Sequence, residues 1–235
     1  MAKLVTENIS KRFKNQDVLK HINITLENNE VYGLLGINGA GKTTLMKIIC
    51  GILQQDSGEI KLDNRPMTRN DLHKVGSHKV GSLIETPATY NHLSAQDNLK
   101  IVCLNESVDF SEINSVLSLV NLNVDKKKKV KDFSLGMKQR LGIAMALIKK
   151  PEILVLDEPS NGLDPYGIQE LRELLKLLTE QGTSIIISSH ILSEIQVLAD
   201  HIGIIHEGEL KYQQRNNKDE NLEEIFFKIT KGDYK

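Results

Sequence analysis

The stretch Gly36-Ile37-Asn38-Gly39-Ala40-Gly41-Lys42-Thr43 constrains this chain more than any other. Its spacing, G-x-x-x-x-G-K-[ST], carries meaning when an apolar strand runs into it and a helix runs out. Both flanks are present: Val31 to Leu35 is an apolar run, and apolar periodicity from Lys42 to about Cys50 predicts a helix. Glycines let backbone N–H groups converge on phosphate oxygens with no Cβ in the way, and the helix N-terminus adds its positive dipole. On this reading Lys42 reaches the β- and γ-phosphates of a nucleoside triphosphate, the Thr43 hydroxyl ligates magnesium, and Thr44 is a supporting phosphate donor.

A second feature fits the same chemistry. Ile153-Leu154-Val155-Leu156-Asp157-Glu158 is an apolar run ending in two acids, which puts both carboxylates at the carboxyl edge of a buried parallel strand, where ligands bind. Asp157 is the candidate for the metal, and Glu158 for orienting or deprotonating the attacking water. Taken alone, such a run is also what an ordinary strand-to-loop exit looks like.

The rest of the chain is organised around these two segments. With 235 residues, of which 40% are hydrophobic, a substantial core can be buried. The formal net charge of -1 gives no field that would draw nucleic acid or anionic lipid. The longest apolar runs fall far short of the roughly 20 residues of a membrane helix, and the first residues carry no secretory pattern, so residence in the cytosol is expected. Cys50 and Cys103 lack metal spacing and read as small buried apolar residues.

Short β-rich segments fill the chain to about Asp63, and helical periodicity dominates from Ser94 to Lys150. Strands are expected again at Ile153 to Leu156, Ser184 to Ser188 and Ile202 to Ile205, with a helix from about Tyr166 to Glu180. The tail from Lys211 reads as polar, then as a closing helix around Leu222, Ile225, Phe226 and Phe227. The expected fold is one α/β domain over 1–235: a P-loop NTPase core with a mostly parallel sheet, an antiparallel β portion near the amino end, and a helical subdomain inserted at about 94–150.

Between the two phosphate-site segments lies Phe133-Ser134-Leu135-Gly136-Met137-Lys138-Gln139-Arg140, and beyond them lie Ser160-Asn161-Gly162-Leu163-Asp164 and Ser188-Ser189-His190. Together, in this order, these motifs resemble the ABC ATPase family from about Leu4 to Glu209. The resemblance implies that Ser134, Gly136 and Met137 contact the γ-phosphate of ATP held by an opposite subunit, so that a nucleotide-dependent dimer sandwiches two nucleotides. It implies that His190 is the switch histidine that bonds the γ-phosphate and holds Glu158 and water in register. Asp164 matches the residue that crosses the dimer seam, although Asp before Pro165 is also good helix-start chemistry. Phe13 stands where the family stacks an aromatic ring on adenine, with Val18 alongside, although an exposed ring is also ordinary packing.

Two departures narrow the resemblance. Leu135 replaces the first glycine of the usual signature and Met137 its glutamine, while Ser134 and Gly136 remain. In Ser82-Leu83-Ile84-Glu85-Thr86-Pro87, Glu85 stands where most members carry a glutamine that touches magnesium, water and permease, and the resemblance implies that Glu85 is a metal candidate beside Thr43 and Asp157 and an anionic link between the ATP site and the permease. That glutamate, with Pro87, Tyr90, Leu93, Asn98 and Leu99, resembles the bacterial lantibiotic-protection and bacitracin-resistance ATPases. The implied protein hydrolyses ATP with Mg2+ at the cytoplasmic face of the cell membrane, held there by separate integral-membrane permease chains, and exports an antimicrobial peptide. The same site would serve another cargo, such as a drug, lipid or polysaccharide. A nucleic-acid-clamping ATPase would need a long coiled coil or a second cassette; neither is in the sequence, and no nucleic acid is expected.

Overall fold

Along the buried strands, successive side chains point to opposite faces, and this alternation divides the interior in two. The computed structural model describes residues 2–68 and 79–231. In it β1 (Ala2–Phe13) and β2 (Gln16–Glu27) form a long hairpin, extended by β4 (Ser57–Leu62) and β5 (Arg65–Pro66) into an antiparallel sheet of order β2-β1-β4-β5. The second sheet has the order β10-β9-β3-β8-β7-β6. It is built from β3 (Val31–Leu35), β6 (Val80–Leu83), β7 (Ile153–Leu156), β8 (Ser184–Ser188), β9 (His201–His206) and β10 (Glu209–Arg215). Its strands run parallel except β10, which lies antiparallel on β9 at the edge.

One face of the second sheet packs on the antiparallel sheet and α1 (Lys42–Ile49), through Tyr32, Leu34, Ile153, Val155 and Ile186. The other face, with Val31, Leu35, Leu154, Leu156, Ile185 and Ile187, packs on the remaining helices. These are α2 (Ala95–Glu106), α3 (Glu112–Leu119), α4 (Leu135–Leu147), α5 (Pro165–Glu180), α6 (Leu192–Leu198) and α7 (Leu222–Thr230). Helix starts follow side-chain caps: Ser94, Ser134, Asp164 and Asn221 each accept a backbone N–H of the first turn, each cap worth about 1 kcal/mol. No helix among the described residues is long and apolar enough to cross a membrane.

The sequence reading of a polar tail from Lys211 needs correction. Glu209–Arg215 is an edge strand, joined to β9 by a tight turn whose two residues, Glu207 (φ 50) and Gly208 (φ 78), both adopt left-handed conformations. Such turns match strand twist, but Glu-Gly signals one less loudly than Asn-Gly or Asp-Gly. The closing helix follows at Leu222–Thr230, with Leu222 and Ile229 buried, and residues 232–235 of the expected tail lie outside the described residues.

For the site, the consequence is positional. In parallel register Leu34 pairs with Ser188 and Leu156 with Ile187, so β3, β7 and β8 end at one edge and discharge their loops together.

Candidate nucleotide site

The loop from 36 to 41 leaves β3 and enters α1 through glycines, two of which leave no room for a side chain. Gly41 has φ +114, and a Cβ there would fall 2.7 Å from Leu19 Cδ2 and 2.9 Å from the Val18 carbonyl oxygen. A Cβ on Gly36 would lie 2.5 Å from the Ile205 carbonyl oxygen. Gly39, at φ +80, faces open space. Gly41 gives α1 no side-chain cap, so the first turn presents its amides to the loop's concavity.

Lys42 is 7% exposed, and its Nζ donates to the carbonyl oxygens of Gly36 at 2.7 Å and Ile37 at 3.4 Å. Burial pulls its pKa below the ordinary lysine value, against the opposing pull of Glu158 and Asp157. A desolvated cation satisfied only by carbonyls, beside a helix N-terminus, is a site for an anion.

Asp157 leaves β7 with its N–H donated to the Leu83 carbonyl at 2.8 Å and is 4% exposed. Both carboxylate oxygens are engaged: Thr43 Oγ1 donates to Oδ2 at 2.7 Å and Ser188 Oγ to Oδ1 at 2.6 Å. Glu158 takes a left-handed backbone, φ 51, and its N–H donates to Ser188 Oγ at 2.9 Å. The Glu158 carboxylate meets His190 Nδ1 at 2.6 Å, with the histidine side chain 56% exposed.

Asp157 and Glu158 border an open cleft of about 480 Å³ lined also by Phe13, Val18, Asn38, Gly39, Ala40, Gly41, Lys42, Thr43 and Thr44. The Phe13 ring is 45% exposed at the end of β1, with Lys11 Nζ 5.5 Å from its centre. Of the residues expected at the site, Gly36, Ile37, His190, Ser134, Gly136, Met137, Asp164 and Glu85 lie outside this lining. Ser134 Oγ accepts the Met137 N–H at 3.2 Å at the tip of α4. Asp164 Oδ1 accepts the Gly167 N–H at 2.8 Å at the start of α5, so the helix-cap role is occupied. Glu85, at φ 60, pairs with Lys47 Nζ on α1 at 2.8 Å.

Ser188 is the residue that local sequence signals pass over. It precedes His190 in the sequence, but its bridge between Asp157 and Glu158 comes from the register of two parallel strands, which no local pattern encodes.

A glycine-lined anion cradle, a buried lysine and paired acids at the carboxyl edge of a parallel sheet define a P-loop nucleoside triphosphatase. The family description "ABC transporter" matches residues 19–161. The chain is 47% identical over 223 residues, 95% of each protein, to the lantibiotic transport ATP-binding protein SrtF of Streptococcus pyogenes. It is 48% identical over 207 residues to the bacitracin transport ATP-binding protein BcrA of Enterococcus faecalis, across 87% of this chain and 67% of that one. A solved structure described as an ATP binding subunit of an ABC transporter superposes with a TM-score of 0.86 at 26% identity, covering 96% of this chain and 98% of the other. This chain belongs to the ABC transporter family as an ATP-binding subunit, and it is an ATPase.

Proposed function

We propose that the chain is the motor subunit of an exporter of antimicrobial peptides, working as a nucleotide-dependent dimer on separate integral-membrane permease chains at the cytoplasmic face of the membrane. The names of its relatives support the cargo, a lantibiotic in one case and bacitracin in another. The observation that carries the dimer is the separation of the two halves of the site: Lys42, Thr43, Asp157 and Glu158 line one cleft and His190 bonds to Glu158, while the capped tip of α4 at Ser134 lies outside that lining and bonds to none of them.

ATP sits in the cradle of 36–44, with Lys42 against the β- and γ-phosphates and the adenine against Phe13 and Val18. Thr43 and Asp157 fit magnesium. The Thr43 hydroxyl gives its hydrogen to Asp157, which leaves its lone pairs for a cation, and one hydroxyl with one carboxylate is the sparse protein contribution that magnesium takes when it binds with phosphates. When bound, the ion neutralises charge on the transferring phosphoryl group. Glu158 takes the proton of the attacking water, and His190 holds that carboxylate in register with the γ-phosphate. Ser134, Gly136 and Met137 of one copy close on the nucleotide of the other, and Asp164 links the two sites across the seam. Glu85 carries the state of the site toward the permease.

Glu158→Gln and wild type, purified at saturating Mg-ATP, test the cycle. Glu158→Gln should retain ATP, form dimers, and turn over at least about 100-fold slower, since a general base contributes 10²–10⁴. A variant that stays monomeric overturns the sandwich. Cells producing the chain with the membrane proteins it copurifies with should survive a lantibiotic, and Lys42→Ala should abolish survival. Survival against an unrelated drug but not against peptides would reassign the cargo.

A further inference from the structure

We infer that Ser188 is a positioning residue for hydrolysis: its single hydroxyl fixes the orientation of Asp157 and the backbone of Glu158 together. The inference rests on the proposed roles of those two acids and adds a residue to which neither the phosphate loop nor the acidic strand end points.

Hydrogen-bond inventory at Ser188 leaves one solution. The Glu158 N–H can only donate, so Ser188 Oγ accepts it at 2.9 Å, and the hydroxyl proton must go to Asp157 Oδ1 at 2.6 Å. Thr43 occupies Oδ2, so the plane of the Asp157 carboxylate is fixed from both ends. Ser188 is 0% exposed, and solvent cannot supply replacements for these bonds.

Backbone geometry at Glu158 gives the second half of the argument. Its φ of 51 lies in the left-handed region, which costs an ordinary side chain about 1–2 kcal/mol. That turn takes the side chain off the strand direction and sets its carboxylate against His190 at 2.6 Å. The hydrogen bond from the Glu158 N–H to Ser188 Oγ is the contact that pins the turned residue from the neighbouring strand. The end of β8 therefore grips both acids: Ser188 holds the Asp157 side chain and the Glu158 backbone, and His190, two residues on, holds the Glu158 side chain.

The test uses the full chain with Ser188→Ala and Ser188→Cys. Cysteine fills nearly the same space but donates and accepts weakly, so it separates packing from hydrogen bonding. Both variants should bind a non-hydrolysable ATP analogue within about threefold of wild type. Their kcat should fall about 10- to 100-fold, the scale on which misplacing a catalytic group by an ångström acts, and their activity should need more Mg2+ to saturate. In a Glu158→Gln background, Ser188→Ala should cause a smaller loss than in wild type, because its effect through Glu158 is already gone and only its hold on Asp157 remains. Wild-type kcat in a folded Ser188→Cys, or equal loss of analogue binding and turnover, overturns the inference. If both variants fail to fold, Ser188→Thr, which keeps the hydroxyl on a strand-favouring residue, decides: a folded Thr variant must turn over, and a folded but inactive one overturns the inference. Glu158→Gln is assayed alongside. If it retains turnover the base assignment has failed, whereas a dead Glu158→Gln beside active Ser188 variants counts against Ser188 alone.

Discussion

Leu135 lies across Gly162 so closely that a Cβ on the glycine would fall 2.2 Å from Leu135 Cδ2, at a backbone φ of +79. On the other side of the same junction, a Cβ on Gly136 would meet Leu163 Cδ2 at 3.3 Å. The first turn of α4 and the loop 160–164 therefore interlock, and Leu135, which departs from the family signature, has a seat. Gly162→Ala meets two obstacles: the left-handed backbone, about 1–2 kcal/mol, and the clash with Leu135. Thermal melting should show destabilisation by at least that much, together with weaker ATP-driven dimerisation. Adding Leu135→Ala should recover the clash component and leave the backbone component, and a double variant no better than Gly162→Ala would show that the contact is not what matters.

How much of this was legible depends on whether the determinant is local. The cradle, the two acids and the cap at Asp164 were readable because each is a short pattern whose chemistry acts within a few residues. The strands β3, β7 and β8 announced themselves as apolar runs. What escaped depends on partners distant in sequence. Ser188 acquires its role from a residue 31 positions away, Glu85 meets Lys47 across 38 positions, and β10 is an edge strand whose half-exposed pattern resembles a polar tail until β9 is beside it. Residue identity was informative in those cases, but register and strand order supply the second half of each contact.

Arg140 on α4 donates to the Val120 carbonyl at 3.2 Å through Nη1 and pairs with Glu170 on α5 through Nη2, while Asn121 Nδ2 donates to the same carboxylate at 3.1 Å. One guanidinium thereby ties the end of α3, the middle of α4 and the start of α5. A lysine is a point charge and cannot serve both acceptors in this geometry. Arg140→Lys and Arg140→Ala should both lower stability, by about 1–3 kcal/mol for alanine and less for lysine, in denaturant titrations with unchanged slope. Glu170→Gln, which keeps an acceptor, should cost less than Arg140→Ala. Wild-type stability in Arg140→Lys beside equal losses in Arg140→Ala and Glu170→Gln would point to charge rather than to the fork.

The Lys47–Glu85 pair separates stability from coupling. Its carboxylate is largely exposed, and such pairs contribute about 0–1 kcal/mol. Glu85→Gln and Glu85→Ala should therefore melt within about 4 °C of wild type and bind nucleotide normally. If Glu85 relays the state of the site, peptide protection should fall in both while the isolated subunit keeps its ATPase activity. Unchanged protection in both variants would remove any special role for this residue.

Alkaline conditions should find the buried weak acids of the layer between the two sheets and α1. Burial pushes the Cys50 thiol from 9.0 up to about 12, and burial also raises the Tyr32 phenol, whose hydroxyl donates to Gln213 Oε1 at 2.7 Å. A raised folded-state pKa means that the unfolded chain loses its proton first. The stability that Cys50 contributes is thus fully present below about pH 9 and is lost as pH climbs from 9 toward about 12, with Tyr32 adding to the loss above its ordinary value of 10.0. Two measurements check this. The native protein should leave Cys50 unmodified by a thiolate-directed reagent at pH 8, at which the unfolded chain reacts. Unfolding free energy plotted against pH should start to fall near pH 9, and Cys50→Ala should make that fall shallower by one proton's worth of slope. A thiol that reacts rapidly in the folded state, or a slope unaltered by Cys50→Ala, would mean that Cys50, at the C-terminal end of α1, is not sealed from solvent.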